Sequence, residues 1–223
     1  MQKKIFLIVI TALVSVAGFS QDCKSYYFMQ NNKTIEMTIY NKKGDANGRQ
    51  VYSVSDVQSS GSGVTAAVNS EMFDKKGKSM AKGKSQIECN GGVILVDMKM
   101  LLPEQQQEQA VDAKVDKAFI EYPATMNAGD KLKDATFHME VDMHGLKQTV
   151  DMVMEERKVV GKESVTTSAG TWDTYKITYT GKLTIKTLLP IKVDISGTEW
   201  YAPGFGVVKT ESKHGGTAIT SLK

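Results

Sequence analysis

Residues 137–154 read FHMEVDMHGLKQTVDMVM. Phe137, Met139, Val141 and Met143 alternate with His138, Glu140, Asp142 and His144. After Gly145, Leu146, Val150, Met152 and Met154 again fall on alternate positions. Period two marks a strand with one buried face, because successive side chains point to opposite sides of the pleat. A two-residue turn at His144-Gly145 sets Met143 opposite Leu146, Met139 opposite Val150 and Phe137 opposite Met152. The same register places Asp142 opposite Lys147, Glu140 opposite Thr149 and His138 opposite Asp151. Apolar meets apolar on one face and compatible polar groups meet on the other, with Val141 opposite Gln148 the one mixed pair. These eighteen residues predict an antiparallel hairpin and, with it, a β protein.

The same rhythm runs outward in both directions. Ile35, Met37 and Ile39 alternate with Glu36 and Thr38, and Val51–Val57 and Val64–Met72 continue it. Val93–Met98 is a more continuous apolar run, which predicts a central strand covered on both faces. Two turns echo each other, Tyr40-Asn41-Lys42-Lys43-Gly44 and Phe73-Asp74-Lys75-Lys76-Gly77. In each, an Asn or Asp can bond its own backbone while Gly takes the positive-φ position of a short hairpin loop. Their 33-residue spacing has no third copy, so they share turn chemistry and do not mark a repeat array. Toward the end, Ser168-Ala169-Gly170 turns into a strand carrying Trp172, Tyr175, Ile177 and Tyr179. Ile191–Trp200 reads as a further strand, and Pro203-Gly204 suits a type II turn. The one break is Pro103–Ala118, where Val111, Val115 and Ala118 take helical spacing, with Glu104 and Glu108 first and Lys114 and Lys117 last. The expected fold is all-β: a strongly twisted, mostly antiparallel sheet, as a half-barrel or open barrel, with one short helix near residues 104–118.

The first twenty residues read as a signal peptide: Lys3 and Lys4, an apolar stretch from Ile5 to Val16, then Ala17, Gly18 and Ser20. A lipid anchor at Cys23 would want small apolar residues before it, and Ser20-Gln21-Asp22 does not supply them. Residues 21–223 are then expected as one β-rich domain. Of 28 basic and 25 acidic side chains, only Lys3 and Lys4 lie in the leader. The remaining chain is nearly neutral and carries no electrostatic footprint for nucleic acid. Export places Cys23 and Cys89 where disulfides persist. Their reading is a structural disulfide or two buried thiols, since neither CxxC spacing nor a neighbouring histidine points to redox or metal chemistry. No later segment is apolar enough to span a membrane as a helix.

Candidate chemistry is sparse. His138, Glu140, Asp142 and His144 line one strand face about 7 Å apart, which supplies metal-ligand types. Lys147 and Asp151 already offer those groups partners, so the row reads as a solvated edge. Gly61-Ser62-Gly63 faintly resembles a dinucleotide loop, but the helix such a loop needs is missing where Val64–Met72 alternates. No GxSxG elbow occurs. Catalytic, cofactor and metal residues are therefore all assigned as none. Met139, Met143, Met152 and Met154 share the apolar hairpin face, where methionine could shape a deformable pocket or simply pack a core. Trp200, Tyr201 and Phe205 bracket the Pro-Gly turn as a candidate partner or ligand surface, or as buried packing.

The short motifs taken together resemble a family. An opening Asp22-Cys23, the Gly44 and Gly77 turns, Val96-Asp97-Met98, Leu101-Leu102-Pro103, Tyr122-Pro123 and Gly129-Asp130 carry the likeness. So do Arg157-Lys158-Val159, Gly161-Lys162-Glu163, Ala169-Gly170-Thr171 and, most strongly, the run from Glu199 to Lys209. These resemble the TapB-like, or DUF3108-like, exported proteins of Bacteroidota. The resemblance implies a β-rich fold, a tetratricopeptide-repeat envelope protein as partner, or a lipid-like ligand as in half-barrel lipid carriers. It supplies no catalytic residues. The expected function is a non-enzymatic envelope protein, periplasmic, outer-membrane-associated or secreted, that binds a partner or an apolar ligand through a curved sheet. An accessory subunit without ligand, or an unrecognised hydrolase, would be the alternatives.

Overall fold

The computed structural model describes residues 23–61, 63–101, 118–143, 146–186 and 190–223. The leader, the helix expected near 104–118 apart from Ala118, and the turn residues His144 and Gly145 lie outside them. Thirteen strands are present among the described residues: β1 (Thr34–Asn41), β2 (Ala46–Ser60), β3 (Gly63–Asp74), β4 (Ser79–Asn90), β5 (Val93–Asp97), β6 (Phe119–Tyr122), β7 (Ala135–Met143), β8 (Leu146–Thr167), β9 (Gly170–Lys186), β10 (Ile191–Asp194), β11 (Gly197–Ala202), β12 (Gly206–Ser212) and β13 (Gly215–Leu222). They form one antiparallel sheet in the order β6-β5-β4-β3-β2-β1-β13-β12-β11-β9-β8-β7, with β10 paired to β9. The sheet curls until its two ends approach, so it is nearly closed into a barrel. Among the described residues no α-helix interrupts it, and the helical pieces are 3-10 turns at Cys23–Ser25, Tyr27–Met29 and Met98–Leu101.

The hairpin register read from the sequence holds at every pair, from Ala135 opposite Met154 to Met143 opposite Leu146. The two echoing turns are built alike. Asn41 Oδ1 accepts from Lys43 N at 2.8 Å, and Asp74 Oδ1 from Lys76 N at 2.8 Å, while Gly44 (φ 85°) and Gly77 (φ 81°) take the left-handed position. Gly61 and Gly63 flank the β2–β3 hairpin, so that glycine pair is a strand turn and no phosphate loop. Phe205 N bonds Ala202 O at 3.1 Å, with Gly204 at φ 75°, which is the type II turn expected at Pro203-Gly204.

Two expectations are corrected. Val93–Asp97 is not central but penultimate, between β4 and the edge strand β6, with Ile94 buried and its neighbours half-buried. Ile191–Trp200 is not one strand: Ser196 Oγ accepts from Gly181 N at 3.0 Å, replaces a ladder bond, and divides β10 from β11.

The inner face is filled by Ile35, Val54, Val68, Ile87, Ile94, Met139, Met152, Ile177, Val208 and Ile219, among others. The N-terminal turns pack into it through Tyr26, Phe28 and Met29, and the Cys23–Cys89 disulfide ties them to β4 with Cα atoms 5.6 Å apart. A loop of that length stabilises by about 4 kcal/mol in the chain-entropy account.

One irregularity decides which side chains reach the interior. Glu156 sits at φ 54°, and the β8–β9 register shifts between Glu155 and Lys158. That bulge inserts one extra residue. Before it, Met152 and Met154 face inward; after it, Arg157 and Val159 do.

Candidate functional site

Arg157 enters the barrel interior because of this bulge, and its side chain is fully buried. Nη1 donates to the main-chain carbonyls of Glu121 on β6 and Lys133 just before β7, both at 3.0 Å. Nη2 donates to Glu199 Oε1 at 3.4 Å. Glu199 comes from β11, five per cent exposed, and its Oε2 accepts from the Tyr122 hydroxyl at 3.0 Å. The Tyr122 ring stacks on Tyr201 with centroids 4.5 Å apart and planes 9° from parallel, and the guanidinium carbon lies 5.0 Å from the same ring centre. Three strands, β6, β8 and β11, and the approach to β7 thus meet on one ion pair.

The electrostatics follow from burial. Loss of water pushes the Glu199 carboxyl upward, and the Arg157 charge with the Tyr122 and Arg157 hydrogen bonds only partly offsets this. Burial likewise raises Tyr26, Tyr122 and Tyr201 well above the ordinary phenol range, and takes Tyr179 up to about 12. Tyr201 raises Tyr26 while Tyr26 lowers Tyr201, yet the Tyr201 hydroxyl meets no partner in hydrogen-bond geometry, nor does Arg157 Nε. Burial keeps the phenol hydroxyls protonated, and the Glu199 carboxyl faces a guanidinium.

The aromatic residues singled out by sequence are all buried. Tyr201 faces the cluster. Trp200, on the next position of β11, points to the outer face and is still only four per cent exposed. Its cross-strand neighbours Lys176 and Lys209 lay their ammonium groups over the indole at 5.3 and 4.7 Å, and its N–H donates to Glu163. That hydrogen bond, with Lys176, holds the Glu163 carboxyl below its usual range. Phe205 packs on Tyr27, Phe28 and Trp172, with centroids 5.2 to 6.1 Å apart. These side chains bind parts of the barrel to one another and offer no exposed aromatic surface.

Of the acidic and histidine row, His138 pairs across the hairpin, while His144 and the side chain of Asp142 lie outside the described residues. His138 Nδ1 meets Asp151 Oδ1 at 2.6 Å, Lys186 Nζ reaches Asp151 Oδ2 at 2.8 Å, and these contacts hold the Asp151 carboxyl down, Lys186 first. No group of three metal-ligating side chains occurs among the described residues. Surface clefts lie beside charged side chains. The one beside Lys162, Glu163, Asp173 and Tyr175 holds about 410 Å³. On the hairpin, Phe137, Met139, Val150, Met152 and Met154 form a buried apolar wall, continued by half-buried Leu183 and Ile185 on β9.

Sequence reading missed Arg157, Glu199 and Tyr122 as a group. Each lies within a short motif of the family resemblance, but strict alternation after Met154 would have turned Arg157 outward. The left-handed Glu156 is what period counting does not see.

The DUF3108-like family model matches residues 30–222. No curated protein is significantly similar to the chain in sequence. Two solved structures share the fold. One, described as an exported protein with a YmcC-like fold from Bacteroides fragilis, is 23% identical, superposes with a TM-score of 0.68, and is covered over 98% of its length and 89% of this chain. The other, described as a lipoprotein from Parabacteroides distasonis, is also 23% identical, with a TM-score of 0.70 over 99% of its length and 89% of this chain.

Proposed function

The chain belongs to the DUF3108-like family, and from that premise we propose that it is a non-enzymatic, exported protein of the cell envelope that binds an apolar ligand against the inner wall of its curved sheet. The observation that carries this reading is the division of the interior. Its described buried charges converge on one place, where Arg157 is committed to two main-chain carbonyls and to Glu199. Elsewhere the wall formed by Phe137, Met139, Met152 and Met154 is apolar and pliable. Support for export comes from the signal-like leader and from the descriptions of the two structural neighbours as exported protein and lipoprotein. The periplasm is the proposed compartment.

A second reading is an accessory subunit that pairs with another envelope protein, such as a tetratricopeptide-repeat partner. Ile191 favours it, being half exposed on β10, a short strand paired on only one side among the described residues. Native mass spectrometry of the mature protein purified from envelopes separates the two. A bound lipid supports the ligand reading, and a stoichiometric protein complex supports the accessory one. A chain that carries neither lipid nor protein partner, and that hydrolyses an ester or peptide substrate, would replace both with an enzyme.

A further inference from the structure

We propose that Arg157 is the latch of the seam between β6 and β7, and that the seam opens as a local unit when this latch is released. The barrel order ends at β6 on one side and β7 on the other, and no ladder joins them among the described residues. Barrels ordinarily close by a continuous ladder that leaves no edge. Here side chains do the closing, and Arg157 is the one that bonds both edges. Nη1 of Arg157 bonds Glu121 O on one edge and Lys133 O on the approach to the other, at 3.0 Å each.

The second link across the gap is Lys133 Nζ to Glu121 Oε2 at 3.6 Å, with Lys133 three-quarters exposed. An exposed pair of that kind contributes little. The latch itself is firmly based. Its backbone belongs to β8, which is paired along most of its length with β9. Its charge is held by Glu199 on β11, and Tyr122, the last residue of β6, is seated between the Tyr201 ring and that carboxylate. β6 has only four residues. Without the guanidinium, the Glu121 and Lys133 carbonyls would face a dry interior unbonded, and water could satisfy them only by parting the edges. That couples loss of the latch to opening of the seam and spares the rest of the sheet.

Hydrogen exchange followed by mass spectrometry on the mature protein tests this. Arg157→Lys keeps the charge but cannot fork across two carbonyls and a carboxylate. Peptides covering 119–122 and 135–143 should exchange at least tenfold faster, while the β3–β4 ladder is unchanged. Joining Glu121→Cys and Lys133→Cys with a short bis-thiol linker should restore slow exchange in the same background. If Arg157→Lys does not fold, the double variant Arg157→Met/Glu199→Met removes both charges and is read in the same way. An equal acceleration everywhere, or none at the seam, overturns the proposal. The corollary that the seam is the way into the interior rests on the apolar-ligand reading, and has its own arm. N-phenyl-1-naphthylamine should enter faster in the Arg157 variant and slower in the linked one. Seam exchange as expected with no probe binding in any form rejects that ligand reading and leaves the latch standing.

Discussion

The seam and the methionine wall line the same interior and are held by opposite kinds of force. At the seam, Arg157, Glu199 and Tyr122 are fixed by direction: each bond has one donor, one acceptor and a length. On the wall, Met139, Met152 and Phe137 are held by contact alone, and any apolar shape of similar volume serves. The lesson is that the polar region is intolerant of losing one member yet tolerant of losing the pair, whereas the apolar region responds to volume and ignores identity.

Breaking that contrast begins with the largest effect. Arg157→Met strands a buried carboxylate and two carbonyls, and should lower stability by about 3–5 kcal/mol in urea denaturation; Arg157→Met/Glu199→Leu should recover the part due to the stranded carboxylate. If the double variant is as unstable as the single one, the seam is not the self-contained unit described here. Next comes the wall. Met139→Ala should lose about 2–4 kcal/mol, and Met139→Leu less than about 1.5 kcal/mol by the same measurement. A leucine as harmful as alanine would mean that the wall is as exacting as the seam.

The smallest effect is in pH. The folded carboxyl of Glu199 titrates above its unfolded value because burial outweighs Arg157. Its favourable contribution is therefore complete below the ordinary carboxylate range and is lost as pH rises through the raised folded value. Wild type should gain on Glu199→Gln as pH falls from 7 toward 4.5, followed by denaturant midpoints. A gap that instead narrows on acidification would show that the Arg157 charge dominates.

The sequence made the wall legible and left the seam dark, for a physical reason. Alternation is a local signal, and Phe137 to Met154 carry it without interruption, so fold class and register follow from eighteen residues. The Asn41 and Asp74 turns, and the Pro203-Gly204 turn, depend only on neighbours and were equally readable. The Arg157–Glu199 pair joins residues 42 apart and includes Tyr122, 77 positions from Glu199. No local rule links them. Trp200 shows the same limit: burial was foreseeable, but its place under Lys176 and Lys209 on the outer surface depends on which strands flank β11.

The left-handed residue at Glu156 behaves in this sheet as an inserted base does in a coding frame. Everything downstream on β8 is read on the other side until the next shift, near Val160. Straightening the strand there without removing a residue would send Lys158 toward the oily interior and Arg157 toward water, whereas deleting Glu156 would leave both on the faces they now occupy. Lineages that keep the length of β8 but lose this bulge would therefore be expected to change the barrel's closure while keeping every strand.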